Sequence, residues 1–320
     1  MPSLEIALAT HNSARFLPEL LQSLFHQTYQ QFTILVADDN STDDSLSILS
    51  SFQQRYPTRL RILEFPSKVG GPRQNFARLV EQLTADYAMF CDHDDVWLPN
   101  KIDVSIGQIR SLEATHGPET PLLFHTDLVV TGPNLEVIAP SYWSYTNVNP
   151  RRNSLRNLLV QGTTMGCALI MNRALYQRAG TIPPDAIMHD CWMTLVAAAF
   201  GKIEFSSLGT ILYRQHGSNY TDTPQWNMRH ILRGALSTFA GKNAKVLTSR
   251  IEQARAFLSR FADELTPEQY ETTAVMANLL STNRWLRWWT LLHHGLLANG
   301  VSRNLGLFVV ASMLDVNDGK

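Results

Sequence analysis

From Leu4 to Cys91 the chain passes three times from a short apolar run into an amphipathic stretch, and this alternation restricts its fold more than any other feature. "LEIALA" (4–9), "FTILVA" (32–37), "LRILEF" (60–65) and "YAMFC" (87–91) have the length and content of buried strands. Between the first two, "ARFLPELLQSLFHQ" sets Phe16, Leu17, Leu20, Leu21, Leu24 and Phe25 on one helical face. "STDDSLSILSSFQQRY" reads as a second helix, N-capped by Ser41 or Thr42 with acids in its first turn, and "PRQNFARLVEQL" as a third. Strand and helix in turn predict an α/β fold, a doubly wound and mostly parallel sheet with helices on both faces. In such a sheet ligands bind beyond the carboxyl ends of the strands, near a switch in strand order.

The pattern continues with a strand at 122–130, a loop rich in Pro, Asn and aromatic residues at 131–150, and a strand at 164–173 approached by "VQGT". "HDCWMTLVAAAFG" (189–201) reads as a helix with an acid at its start, and "GTILYRQHGSN" (209–219) as a strand ending in His and Gly. Beyond Pro224 the pattern is helical to the end. Charge divides at the same place. Residues 226–320 hold 11 Lys and Arg against 7 Asp and Glu, while 1–225 hold 16 against 21. The expected organisation is a catalytic domain over 1–225 and a basic, helical C-terminal extension over 226–320. Cysteines 91, 167 and 191 show no paired spacing, and "MPSLEIALATHN" lacks a basic, apolar leader. Reduced thiols and a cytoplasmic setting are the expectation.

The strand ends carry the chemistry. The first is followed by "THN", the second by "DDNSTDD" and the fourth by "DHDD". Turn and capping chemistry accounts for Asn40, Ser41 and Thr42. It does not account for "CDHDDVW" (91–97), three carboxylates in four positions directly after an apolar run. Carboxylates that close repel one another, so the cluster asks for a cation. An extended segment puts Asp92 and Asp94 on one side. Their oxygens are hard ligands suited to Mg²⁺ or Mn²⁺, ions that keep open positions for substrate phosphates. A solvated acidic turn is the bland alternative.

The ordered set "ATHN", "VADDNSTDD", "DHDDVW", "HD.W" and "YRQHGSN" resembles family 2 glycosyltransferases of the GT-A fold, nearest their bacterial cell-surface, rhamnosyltransferase-like branch. The resemblance covers residues 4 to about 220. It implies that Thr10, His11 and Asp39 contact the base and ribose of a nucleoside diphosphate sugar, with Asn75 and Arg73 lining the same pocket after the "VGG" loop. Asp92 would lie near the ribose or sugar, Asp94 would bind the metal, Mn²⁺ or Mg²⁺, that bridges the two phosphates, and His216 would approach that metal or the diphosphate. His93 takes the variable middle position of the DxD pattern and receives no role. Asp95 either supports its neighbours or caps a helix beginning near Leu98.

A departing nucleoside diphosphate gathers negative charge, which a divalent cation stabilises without a general acid. The acceptor hydroxyl must still lose a proton, and Asp190 is the candidate base. A plain helix-opening Asp is the alternative. One base and no nucleophile imply direct displacement with inversion, as the resemblance also does. "QGTTMGCAL" (161–169) would form a floor where small residues let a sugar approach the backbone. The aromatics of 142–147 either stack on an acceptor or fill the core.

The tail has no motif. "WLRWWTLLHHGLLANG" (285–300) has the composition of a membrane interface, and "LGLFVVASML" (305–314) is too short to span a bilayer. Two readings stand side by side, core-packing helices that close the domain, or docking on the cytoplasmic face of the inner membrane near a lipid-linked saccharide acceptor. Nucleotidyl transfer is a rival activity, but no GxxxxGK[ST] or basic Gly-rich loop is present. A non-catalytic sugar-nucleotide binding module is another, although a pure binder needs no base. Nothing points to nucleic acid.

Overall fold

A computed structural model describes residues 3–65, 67–217, 225 and 242–314. Ser218 and Asn219 of the strand-end stretch, and 226–241 of the tail, lie outside the described residues. The chain divides into two compact units. The first comprises 1–142, 164–182 and 188–222, and the second 143–163, 183–187 and 223–320.

The first unit is built on β1 (Leu4–Thr10), α1 (Leu17–Phe25), β2 (Thr33–Asp38), α2 (Ser45–Arg55), β3 (Leu60–Leu63), α3 (Pro72–Val80) and β4 (Tyr87–Cys91). β5 (Val96–Trp97), α4 (Lys101–His116), β6 (Leu122–Thr131), β7 (Val137–Ala139), β8 (Leu169–Asn172), α5 (Arg173–Ala179), α6 (His189–Phe200) and β9 (Lys202–Arg214) follow. The strands form one α/β sheet in the order β3-β2-β1-β4-β8-β6-β9-β5, with β7 added to β6. β3, β2, β1 and β4 run parallel, and so do β6 and β9. β8 lies antiparallel between β4 and β6. The chain winds outward from β1 to β3 and returns to β4 on the other side of β1, so the switch in strand order falls at β1.

Every residue of β1 and β4 is buried, as expected of strands covered on both faces. One face sets Ile6, Leu8, Ile34, Val36 and Met89 in a core with Leu17, Leu20, Leu21 and Leu24 of α1 and Ile102, Ile106 and Ile109 of α4. Each such side chain contributes about 1.5–3 kcal/mol on burial. Phe76 and Leu79 of α3 are buried too, and α3 packs on β1, β2 and α6.

Four local expectations are corrected. α2 starts at Ser45, without a side-chain cap, rather than behind Ser41 or Thr42. Those residues tie loops together instead: Ser41 donates through its N–H and hydroxyl to Asp38, and Thr42 N–H donates to Asn12 Oδ1. α4 starts at Lys101 with Asn100 at its N-cap position, so Asp95 caps nothing. The 164–173 stretch becomes a strand only at Leu169, because Gly166–Ala168 form a 3₁₀ turn. The last strand begins at Lys202 and slips register twice against β6 near Asp127.

The second unit is helical: α7 (Lys242–Phe261), α8 (Pro267–Ala277), α9 (Arg287–His293) and α10 (Val301–Met313). α7 buries Leu247, Ile251, Ala254, Phe257 and Phe261. α8 opens with a capping box between Thr266 and Gln269. The segments 143–163 and 183–187 are tied into this unit. Asn149 N–H donates to Asn299 Oδ1, Arg303 donates to Asn147 O at 2.7 Å, and Ile187 N–H donates to Gln253 Oε1. No helix among the described residues is long and apolar enough to cross a membrane.

Candidate active site

The parallel strands deliver their carboxyl ends to one edge, and the loops there hold each other. Thr10 ends β1, is buried, and donates its hydroxyl to Asp38 Oδ1 at 2.8 Å. His11 is exposed, with Nδ1 2.9 Å from Asp39 O. Asp39 Oδ1 accepts the N–H of Val69 at 2.7 Å, and Oδ2 accepts those of Gly70 at 2.9 Å and Gly71 at 3.3 Å. Gly70 and Gly71 have φ of 76° and 134°, values a side chain resists, and this turns three successive N–H groups toward one carboxylate. Burial pushes the Asp39 carboxyl up, but these three donors and Arg78 outweigh it and hold the group below its ordinary range.

Asn75 lies inside this assembly. Its Nδ2 donates to Ala37 O at 2.9 Å and its Oδ1 accepts Arg78 Nε at 2.8 Å. The amide therefore joins α3 to the end of β2, beneath the loops. Arg73 is half-buried in the first turn of α3. Arg78 escaped the reading of the sequence. It donates to Ser67 O and Asp38 O, lies 3.7 Å from Asp39 and stacks over Phe65. Its signal was a cation one helical turn after Asn75, among the apolar residues of "NFARLV".

The "DHDD" turn joins β4 to β5, and β5 pairs with β9. That pairing brings residues about 120 positions apart into contact. Asp94 Oδ2 and His216 Nε2 are 2.8 Å apart, and the His216 ring packs against Phe16. Arg214, buried and likewise missed, organises the turn. Its N–H donates to Asp95 Oδ1 at 3.1 Å, its Nε to Asp94 O at 2.8 Å and its Nη1 to Pro133 O at 2.6 Å. Its Nη2 meets Glu19 Oε2 at 2.6 Å.

Behind the turn lies a charged interior. The ligand-type atoms of Asp92, Asp95 and Cys167 sit within 4.8 Å of one another. Burial first, then the charges of Asp94 and Asp190, pushes the Asp92 carboxyl up to about 7. Burial first, then the charges of Asp94 and Asp92, pushes Asp95 well above the ordinary carboxylate range. Burial, with the charges of Asp95 and Asp92, raises the Cys167 thiol as well. Lys101 is fully buried, with Nζ 4.4 Å from the Trp97 ring centre, and burial draws it down to about 8 against the pull of Cys167, Cys91 and Asp95.

Asp190 lies in the first turn of α6, half-buried, with Oδ1 accepting the Cys191 N–H at 2.7 Å. Its neighbour His189 is only 2% exposed, stacked 3.8 Å from Phe76 and edge-on to Phe90. A Cβ on Gly166 would sit 2.8 Å from His189 Nε2 and 3.4 Å from Asp190 Oδ2. Gly166 thus lies directly against His189 and Asp190, with no room for a side chain of its own. Of the 142–147 aromatics, Tyr142 packs edge-on to Tyr213, and Trp143 is buried within the second unit.

Thr10, Asp39, Asp92, Asp94, Asp190 and His216 all belong to the first unit, the first four of them at the carboxyl ends of its parallel strands. A mostly parallel sheet with carboxylates at its switch point defines an α/β ligand-binding domain. Residues 5–118 match the model of Glycosyl transferase family 2. A dTDP-rhamnosyl transferase, RfbG of Shigella flexneri, is 37% identical over 102 residues, 31% of this chain and 35% of that protein. A glycosyltransferase of Nostoc sp. is 23% identical over 68% of this chain and 66% of its own length. The matched stretches thus span about a third to two thirds of these relatives. Two solved structures share the fold. Staphylococcus aureus TarS 1–349, in complex with UDP-GlcNAc, has a TM-score of 0.55 and 16% identity over 99% of this chain and 95% of its own. The mannosyltransferase PcManGT of Pyrobaculum calidifontis, in complex with GDP-Man and Mn²⁺, has a TM-score of 0.59 and 14% identity over 100% and 88%.

Proposed function

We propose that this chain is an inverting, divalent-metal-dependent glycosyltransferase. It moves a sugar from a nucleoside diphosphate sugar, dTDP-rhamnose or a UDP-sugar, to a saccharide acceptor. The acceptor is lipid-linked, and the reaction belongs to cell-surface polysaccharide synthesis at the cytoplasmic face of the inner membrane. The observation that carries the reading is the pairing of Asp94 with His216 at 2.8 Å, beside Asp92 and within reach of the Asp190 charge.

Thr10, His11 and Asp39 take the base and ribose, Asp39 partly by holding the 69–71 loop in place. Arg73 faces the same donor, and Asn75 with Arg78 braces the loops that shape it. Asp92 contacts ribose or sugar. Carboxylate oxygen is a hard donor that fits Mn²⁺ or Mg²⁺, so Asp94, with His216 at its side, would hold the ion. When bound, the ion supplies charge stabilisation for the departing diphosphate. Asp190 Oδ2 accepts the proton of the attacking hydroxyl, while Oδ1 stays fixed on the Cys191 N–H. The rhamnosyl relative favours dTDP-rhamnose, and the UDP-GlcNAc and GDP-Man complexes of the fold relatives keep other donors in the test.

Calorimetric titration of UDP-, GDP- and dTDP-sugars with Mn²⁺ tests this reading. One donor should bind in a metal-dependent way to the wild type and not to Asp94→Ala. Metal-independent binding that survives Asp94→Ala would remove the metal role, and no binding of any donor would remove the transferase reading.

A further inference from the structure

The second unit leaves apolar surface uncovered. Trp288, Trp289 and Leu292 recur at helical spacing on α9, with Trp285 in the turn before it. Their exposures, 42%, 52%, 44% and 69%, overturn the core-packing reading for the three tryptophans. On α10, Val301, Leu305, Val309 and Met313 recur every four residues and are all exposed. The buried partners of these helices are other residues, among them Leu291, Val310 and Ala311. α9 and α10 pack on one another. Buried Arg287 clamps them, donating Nη1 to Ala311 O at 2.9 Å and Leu314 O at 2.6 Å, and Nη2 to Leu280 O at 2.8 Å. Single exposed apolar residues need no explanation, but two stripes on a clamped helix pair do.

The stretch that carries them holds basic residues and no acid of its own. Residues 284–314 contain no Asp or Glu, while Arg284, Arg287, Arg303, His293 and His294 fall within the stretch. Glu271 reaches it from α8, 3.6 Å from His294. Arg284 is exposed and stacks over Trp285.

We infer that this exposed apolar surface docks on an anionic phospholipid bilayer without crossing it. Tryptophan suits that boundary, because its ring takes an apolar slot while its N–H stays with water and headgroups. Leu, Val and Met of the same stripes enter the acyl boundary, and the exposed Arg284 guanidinium meets lipid phosphate. α10, with 13 residues, is about 20 Å long, well short of the ~30 Å hydrocarbon layer. A second copy of the chain fits less well, since the stretch would meet its own acid-free, cationic equal.

The surface rests on the reading of the chain as a peripheral transferase, and the two fail separately, because lipid binding is measured without donor or acceptor. The full chain should co-sediment with phosphatidylglycerol vesicles. It should bind phosphatidylcholine, or the anionic vesicles at about 0.5 M salt, more than about tenfold less tightly. Acyl-brominated lipids should quench its tryptophan emission. Trp285→Ser, Trp288→Ser and Trp289→Ser together should weaken binding by more than about tenfold. Arg284→Glu, an exposed change that leaves the apolar stripes intact, should weaken it at least about fivefold. Three results would each overturn the inference: no co-sedimentation with the anionic vesicles, no quenching on binding, or sedimentation as a dimer with these tryptophans shielded.

Discussion

Asp190 is the carboxylate whose replacement separates binding from transfer. Asp190→Asn keeps an acceptor for the Cys191 N–H and removes the basic oxygen. Transfer should fall at least about a hundredfold with donor affinity nearly unchanged, by single-turnover assay and calorimetry. A variant that turns over near the wild-type rate would assign the proton to another group. His189, one residue earlier, answers to pH. Burial holds its imidazole at about 4, against an ordinary 6.5, with Asp190 pulling the other way. Between those values an unfolded chain takes a proton that the folded chain refuses, so the unfolded state binds more protons and stability rises with pH. The contribution is complete above about 6.5 and fades as pH falls toward 4, by roughly 3 kcal/mol at most. His189→Phe should flatten the fall in melting temperature between about pH 7 and pH 5. An unaltered acid limb would place that sensitivity elsewhere.

At the scale of elements, one strand end organises another. β9 reaches the "DHDD" turn through Arg214, whose guanidinium holds Asp94 O, Pro133 O and Glu19 while its N–H holds Asp95. Arg214→Met would fill much of the space but leave two carbonyls without their donor. The expected loss is about 3 kcal/mol, read by urea unfolding. Metal-dependent nucleotide affinity should drop with it, because Asp94 loses its backbone anchor. A loss below about 1 kcal/mol would show that strand pairing alone holds the turn. α3 does the equivalent work at the other strand ends, through Asn75 and Arg78.

For the molecule as a whole, a ligand held only by the folded state must raise the unfolding temperature by mass action. Mn²⁺ with the cognate nucleoside diphosphate at about 100 times its dissociation constant should add about 2.7 kcal/mol to the wild type. A chelator should reverse the gain, and Asp94→Ala should show none of it, in a thermal scan. Equal stabilisation of Asp94→Ala would move the metal away from that carboxylate.

Local periodicity carried the alternation of strands and helices, because strand and helix spacing are properties of adjacent residues. Leu20, Leu21 and Leu24 announce their helix face, and Ile6 and Leu8 their buried strand, without reference to anything distant. The strand-end carboxylates were legible for the same reason, since a polar run after an apolar one marks where a strand stops. Other features depend on strand order and on pairing between remote segments. The antiparallel insertion of β8 is one, and the long β9 that carries Arg214 and His216 to Asp94 is another. Asn75 and Arg78 read as residues of a helix, and only the fold shows them bracing two strand ends. The tail's tryptophans show the same limit. Composition marked 285–300 as interface-like, but which of its side chains meet water is settled by what the rest of the helix packs against. Residue order alone determined the α/β class and the acids at its edge. Tertiary contact decided which of those acids have partners, which side chains hold them, and which apolar surface stays uncovered, because each depends on atoms brought close from far along the chain.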